Sequence, residues 1–125
     1  MKEVISIISI DVEASILAAL KQMDVTHRKL LIVMKEERFH SVLSIGDIQR
    51  AIISGKGMDE KIAGILRTEI NVANVHQERD EIIQYVKDHK TEFMPVVDDD
   101  CRVVDVVFWD ELYKTSVTHR TADFN

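Results

Sequence analysis

Apolar residues recur at helical spacing over residues 15–23, where Ile16, Ala19, Leu20 and Met23 fall on one face and Ser15 stands at the capping position. The run Leu30-Leu31-Ile32-Val33-Met34 then reads as a buried strand, Glu36-Glu37-Arg38 as a polar turn, and residues 39–44 as a second strand closing a hairpin. The helical period returns in Asp47-Ile48-Gln49-Arg50-Ala51-Ile52-Ile53 and stops at Gly55. The first half is therefore expected to run helix, strand, strand, helix.

The stretch Gly55-Lys56-Gly57-Met58-Asp59 breaks the pattern, and residues 61–66 predict a short connecting helix. The order then repeats. Residues 81–86 predict a helix, Phe93-Met94-Pro95-Val96-Val97 a strand, Asp98-Asp99-Asp100 a turn, and residues 103–108 a strand. A last helix is expected from Asp110-Glu111-Leu112-Tyr113. Leu31 matches Pro95, Arg38 matches Arg102 and Asp47 matches Glu111, each at a separation of 64 residues. The first helices match with one residue less, Leu20 to Ile83 and Met23 to Val86, a difference assigned to the loop between helix and strand. Two such units are each too short to bury their own strands, so they are expected to pack face to face about a pseudo-twofold axis in an α+β fold. The expected boundaries are residues 1–57 for the first repeat, 58–115 for the second and 116–125 for a linker or tail. Pro95, which lacks an N–H for a sheet ladder, is expected at a strand start or edge.

Composition narrows the function. The chain has 125 residues, 46% hydrophobic and 30% charged, with a net charge of -6 and scattered Lys and Arg; that argues against a broad nucleic-acid surface but leaves room for a local basic pocket. There is no apolar run of about 18 residues to span a membrane. The start Met1-Lys2-Glu3-Val4-Ile5 does not read as a signal peptide, and the single Cys101 excludes an internal disulfide, so a cytoplasmic protein is expected. The five His residues show no metal-ligand spacing, and the three consecutive aspartates lack the surroundings of an EF-hand. Cys101 has no histidine beside it, and neither a serine triad nor a P-loop is present. With no acid, base and nucleophile set to name, the chain is not read as an enzyme.

A repeat of about sixty residues, with Ser44-Ile45-Gly46-Asp47-Ile48 ahead of a helix and Met94-Pro95-Val96-Val97-Asp98 at a strand end, resembles the CBS domain. Two in tandem resemble a CBS pair, or Bateman module, over residues from about 5 to 115. A narrower resemblance lies in Gly46-Asp47-Ile48-Gln49-Arg50-Ala51-Ile52-Ile53-Ser54-Gly55, Met58-Asp59-Glu60-Lys61-Ile62 and Phe108-Trp109-Asp110-Glu111-Leu112. These pieces are similar to the CBS pair found ahead of sugar-phosphate nucleotidyltransferase domains. That resemblance implies an attached C-terminal catalytic domain, whose Gly-Gly-x-Gly-Thr-Arg signature is absent here.

The residues of the first repeat supply a candidate site. Ser44 at a strand end can donate its hydroxyl to a phosphate or sugar oxygen, and Asp47 at a helix start can accept from ribose hydroxyls. The helix terminus offers the N–H groups of Gly46, Asp47 and Ile48 to an anion, Gly46 lets the backbone approach a ligand, and Arg50 adds a charge-assisted contact. In CBS pairs the hydroxyl-x-x-Asp motif contacts the ribose and phosphate of adenosyl ligands. The resemblance therefore implies that role for Ser44 and Asp47, with the base stacked against Val42 and Leu43. The plainer reading makes Asp47 a helix cap and Ser44 a turn residue.

The site departs from the family in two places: Ser41 stands where Gly is usual, which would narrow the cleft, and Ile45 where a polar residue is common. In the second repeat Phe108 and Glu111 replace the hydroxyl and the aspartate, so at most one site is expected, with Phe108 and Trp109 either filling the other or packing as core. Two functions follow: a regulatory module that binds AMP, ADP, ATP or S-adenosylmethionine and modulates an attached domain, or a ligand-free module that dimerises its parent. No cofactor is required by either. Homodimerisation through CBS packing is implied by the resemblance.

Overall fold

The computed structural model describes residues 1–109. Its elements are α1 (Lys2–Ile7), β1 (Ser9–Asp11), α2 (Ile16–Thr26), β2 (Leu30–Lys35), β3 (Arg38–Ser44), α3 (Ile45–Ile53), a 3-10 turn (Ile62–Ile65), β4 (Ala73–Asn74), α4 (Arg79–His89), β5 (Phe93–Val97) and β6 (Val103–Phe108). The last expected helix, with Glu111, and the tail from residue 116 lie outside the described residues.

Each repeat contributes one three-stranded sheet of the same design, β1-β2-β3 and β4-β5-β6, in which the first strand runs parallel to the second and the third antiparallel. The sequence reading missed β1 and β4. They are three and two residues long, too short to show a period-2 pattern. It also missed α1, whose six residues have no side-chain cap and bury no residue fully.

The hairpin strands are apolar on both faces because each sheet is covered twice. Leu31, Val33 and Leu43 turn outward onto Ile16, Ala19 and Met23 of α2 and Ile48 of α3. Leu30, Ile32 and Val42 turn inward and meet Phe93, Val106 and Phe108 of the other sheet, with Ile8 beside them. A third cluster repeats the outer core in the second half, where Met94, Val96 and Val107 pack on Ile82 and Val86 of α4. The inner layer is thus the interface between the repeats.

Facing corrects the repeat register. Leu31 and Val33 face outward as Met94 and Val96 do, so β2 maps onto β5 at 63 residues, the same step as α2 onto α4. Val42 and Leu43 map onto Val106 and Val107 at 64. The additional residue therefore enters in the hairpin turn, not in the loop between helix and strand. A one-residue slip in a strand would reverse every side chain, whereas a turn absorbs it freely.

Pro95 lies inside β5, the central strand of its sheet, and not at an edge. The Glu92 carbonyl accepts from the Trp109 N–H on the β6 side, so by alternation Pro95 directs its nitrogen toward β4. The short β4 pairs only with Val96 and Val97, so no ladder bond is lost at Pro95.

The connection between repeats is fastened to the first one. Ile62 is fully buried in the first outer core, its N–H donates to the Ala14 carbonyl at 2.9 Å, and Ser15 bridges Lys61. Ile65 and Leu66 pack on the same cluster. This seating brings the next residue, Arg67, back to the start of α3.

Candidate functional site

Ser44 ends β3 and caps α3. Its side-chain oxygen accepts from the Asp47 N–H at 3.1 Å while the Asp47 carboxylate accepts from the Ser44 N–H at 2.9 Å, a reciprocal capping box. Asp47 is therefore the third helical residue and Ser44 the cap, and the Asp47 N–H is already bonded. The Asp47 side chain is 7% exposed and holds two cations: Arg67 Nε reaches Oδ2 at 3.1 Å and Arg50 Nη2 reaches Oδ1 at 2.6 Å. Burial pushes the Asp47 carboxyl up, but the Ser44 N–H, the Arg67 guanidinium and the Ser44 hydroxyl outweigh it and hold the group below the usual carboxylate range.

A cleft of about 460 Å³ opens beside this cluster, between the repeats. Leu30, Val42 and Ile45 from the first repeat and Phe93, Met94 and Pro95 from the second supply its apolar lining. Ser44, Arg67, Asn71, Lys29, Thr91 and Glu92 supply the polar groups. Tyr85 and His89, stacked on each other with ring centroids 3.9 Å apart, add an aromatic surface from α4. Glu92 ties the repeats together: its two carboxylate oxygens accept from the Lys29 N–H at 2.9 and 3.2 Å. Such a mixture of apolar area and a few placed polar groups is what a small-molecule site presents.

The residues expected from the sequence are divided by this geometry. Val42 and Ser44 line the cleft. Leu43 does not: it is fully buried on the opposite face of β3, among the α2 residues, because neighbouring strand residues point to opposite sides. Asp47 and Arg50 line a separate, shallower depression with Lys56 and Gly64. Gly46 carries the Arg50 guanidinium over it, since a Cβ at Gly46 would lie 3.4 Å from Arg50 Nη1. Ser41 does not narrow the cleft; it is 1% exposed, faces outward with Leu43, and donates its hydroxyl to the Val42 carbonyl.

Arg67, Tyr85, His89, Thr91 and Glu92 were not anticipated. The last four follow from the pseudo-twofold, which sets the end of α4 and the start of β5 against the end of β3, but Arg67 sits in a linker with no periodic signal. At the corresponding place in the second repeat, Phe108 is 2% exposed in the inter-repeat core, edge-on to Phe93 at 5.6 Å, with the Arg28 guanidinium 4.6 Å above its ring. Trp109 packs against the outer core of that repeat. Both aromatics serve as packing. Among the described residues no group of three acidic, His or Cys side chains is placed to hold a metal, and no helix is long and apolar enough to cross a membrane.

Comparison with known proteins gives this arrangement a family context. The model of the CBS domain matches residues 1–54. A search of curated proteins finds no match. Among solved structures, a CBS domain pair/ACT domain protein from Thermotoga maritima superposes with a TM-score of 0.70 at 15% identity, covering 89% of this chain and 88% of that one. CbpB in complex with c-di-AMP gives 0.71 at 18% identity, over 94% and 82%. The cytosolic domain of the Mg2+ channel MgtE in complex with ATP gives 0.67 at 18%, over 86% of this chain and 44% of that one. The chain thus has the α+β fold of a CBS domain pair, or Bateman module, and its first repeat is matched by the CBS domain family.

Proposed function

We propose that this CBS pair is a non-catalytic regulatory module whose inter-repeat cleft binds an adenine nucleotide. The observation that carries the reading is the cleft itself, where apolar walls from both sheets meet the Ser44 hydroxyl and the Arg67 guanidinium. The walls suit a base, the stacked Tyr85 and His89 rings offer it a flat surface, and Arg67 with Lys29 supplies positive charge for a phosphate. The complexes of CbpB with c-di-AMP and of MgtE with ATP support adenine ligands in this fold. AMP, ADP, ATP, c-di-AMP and S-adenosylmethionine are the compounds to try. Bound between the repeats, such a ligand would favour one arrangement of them and so bias whatever domain is attached.

In this reading the module works in the cytoplasm as a homodimer, attached to a larger protein. The nucleotidyltransferase parent rests on the sequence motifs alone, as the compared structures come from proteins of other kinds. One observation favours the alternative of a ligand-free dimerising module: Asp47 and Ser44 are already occupied by Arg67.

Calorimetric titration separates the two. The sensing reading expects micromolar binding of at least one of these compounds, weakened tenfold or more, about 1.4 kcal/mol, by Thr91→Trp, which places a large ring in the cleft from a partly exposed position. Absence of heat with all of them, from a protein that scatters as a folded dimer, would leave the module as an assembly device.

A further inference from the structure

We propose that Arg67 is a built-in stopper of the nucleotide cleft, displaced by the phosphate of a ligand but not by a neutral nucleoside. This rests on the adenine-nucleotide reading and assigns its specificity to one linker residue.

The contacts define the competition. Arg67 Nε donates to Asp47 Oδ2 at 3.1 Å and Nη2 to Ser44 Oγ at 3.1 Å. Ser44 Oγ also accepts from the Asp47 N–H, so both of its lone pairs are in use. Asp47 Oδ2 serves the Ser44 N–H as well, and Oδ1 is held by Arg50. A ribose presented from the cleft side meets Ser44 Oγ and Asp47 Oδ2, each with two bonds already and both held by Arg67 through charge-assisted bonds, which are about twice as strong as neutral ones. Ribose hydroxyls alone cannot match them.

A phosphate changes the exchange. It offers the guanidinium a negatively charged, bidentate partner, and Arg67 can leave Asp47 for it while ribose hydroxyls take the vacated oxygens. The side chain is placed to do so, since it is 43% exposed and reaches both Ser44 and the cleft. Arg50 stays on Oδ1 outside the cleft and keeps the buried carboxylate compensated during the swap. Arg67 is carried by the connection between the two repeats, in a stretch outside regular structure between the 3-10 turn and β4.

The test compares adenosine with AMP on wild type and Arg67→Ala by calorimetry. The stopper predicts that wild type prefers AMP at least tenfold. It also predicts that Arg67→Ala binds adenosine at least threefold more tightly than wild type does while AMP weakens, so that the preference collapses. An equal loss for both ligands, or no change in either, would overturn it. A second arm does not need the base: inorganic pyrophosphate should shift the Arg67 Nε–H resonance in wild type, and an unmoved resonance at saturating pyrophosphate counts against the stopper. If no adenine compound binds, the adenine reading fails and the stopper with it, whereas AMP binding to wild type with an unmoved Arg67 resonance overturns the stopper alone.

Discussion

Phe93→Ala should lower the unfolding free energy by about 3–5 kcal/mol, the usual loss for truncating a buried aromatic. Phe93 is 1% exposed at the start of β5, in the layer where both sheets meet, and it contacts Phe108 edge to face. Removing the ring opens a void between the repeats, where neither outer core can collapse to fill it. It also removes a wall of the cleft. Urea unfolding followed by circular dichroism measures the effect, with Ile53→Ala as the control: Ile53 is 84% exposed, so its truncation should fall within about 0.5 kcal/mol of wild type. A Phe93→Ala variant as stable as that control would show that the repeats do not share a core.

Asp47→Asn should cost about 1–3 kcal/mol at neutral pH, combining a weakened cap with loss of the charge that compensates two guanidinium groups. Its dependence on pH is the sharper part. The folded-state carboxyl ionises more readily than in the unfolded chain, so ionisation favours the folded state. The gain is complete above the ordinary carboxylate range of about pH 4 and is lost as pH falls through the lower folded-state value. The gap between wild type and Asp47→Asn should therefore stay constant from about pH 5 upward and narrow below about pH 4. A gap that persisted undiminished to lower pH would mean that the Asp47 charge contributes nothing and that the cost comes from replacing an accepting oxygen with an amide NH2.

The fold was legible where periods were long enough to read. The stripe of Ile16, Ala19 and Met23, the doubly apolar hairpin and the repetition at 63 to 64 residues all come from packing that the chain must satisfy locally. The parallel strands β1 and β4 escaped because two or three residues paired with a distant partner leave no local pattern. At the site, the Ser44-x-x-Asp47 spacing was visible, and it builds a capping box as well as a candidate contact. Leu43 was misplaced for want of strand parity, which the repeated outward positions would have given. Arg67 could not be read at all: its position follows from Ile62 seating in the first core and folding the linker back on α3.

The most direct test of a nucleotide cleft between the repeats is a backbone amide spectrum of the labelled chain during titration with ADP. The largest shifts are expected at Lys29, Val42, Ser44, Arg67 and Thr91, which face one another across the cleft from both repeats and the linker. A spectrum left unchanged by millimolar ADP, and then by AMP, ATP, c-di-AMP and S-adenosylmethionine in turn, would contradict the account. So would shifts confined to the depression around Arg50 and Lys56, on the other side of Asp47.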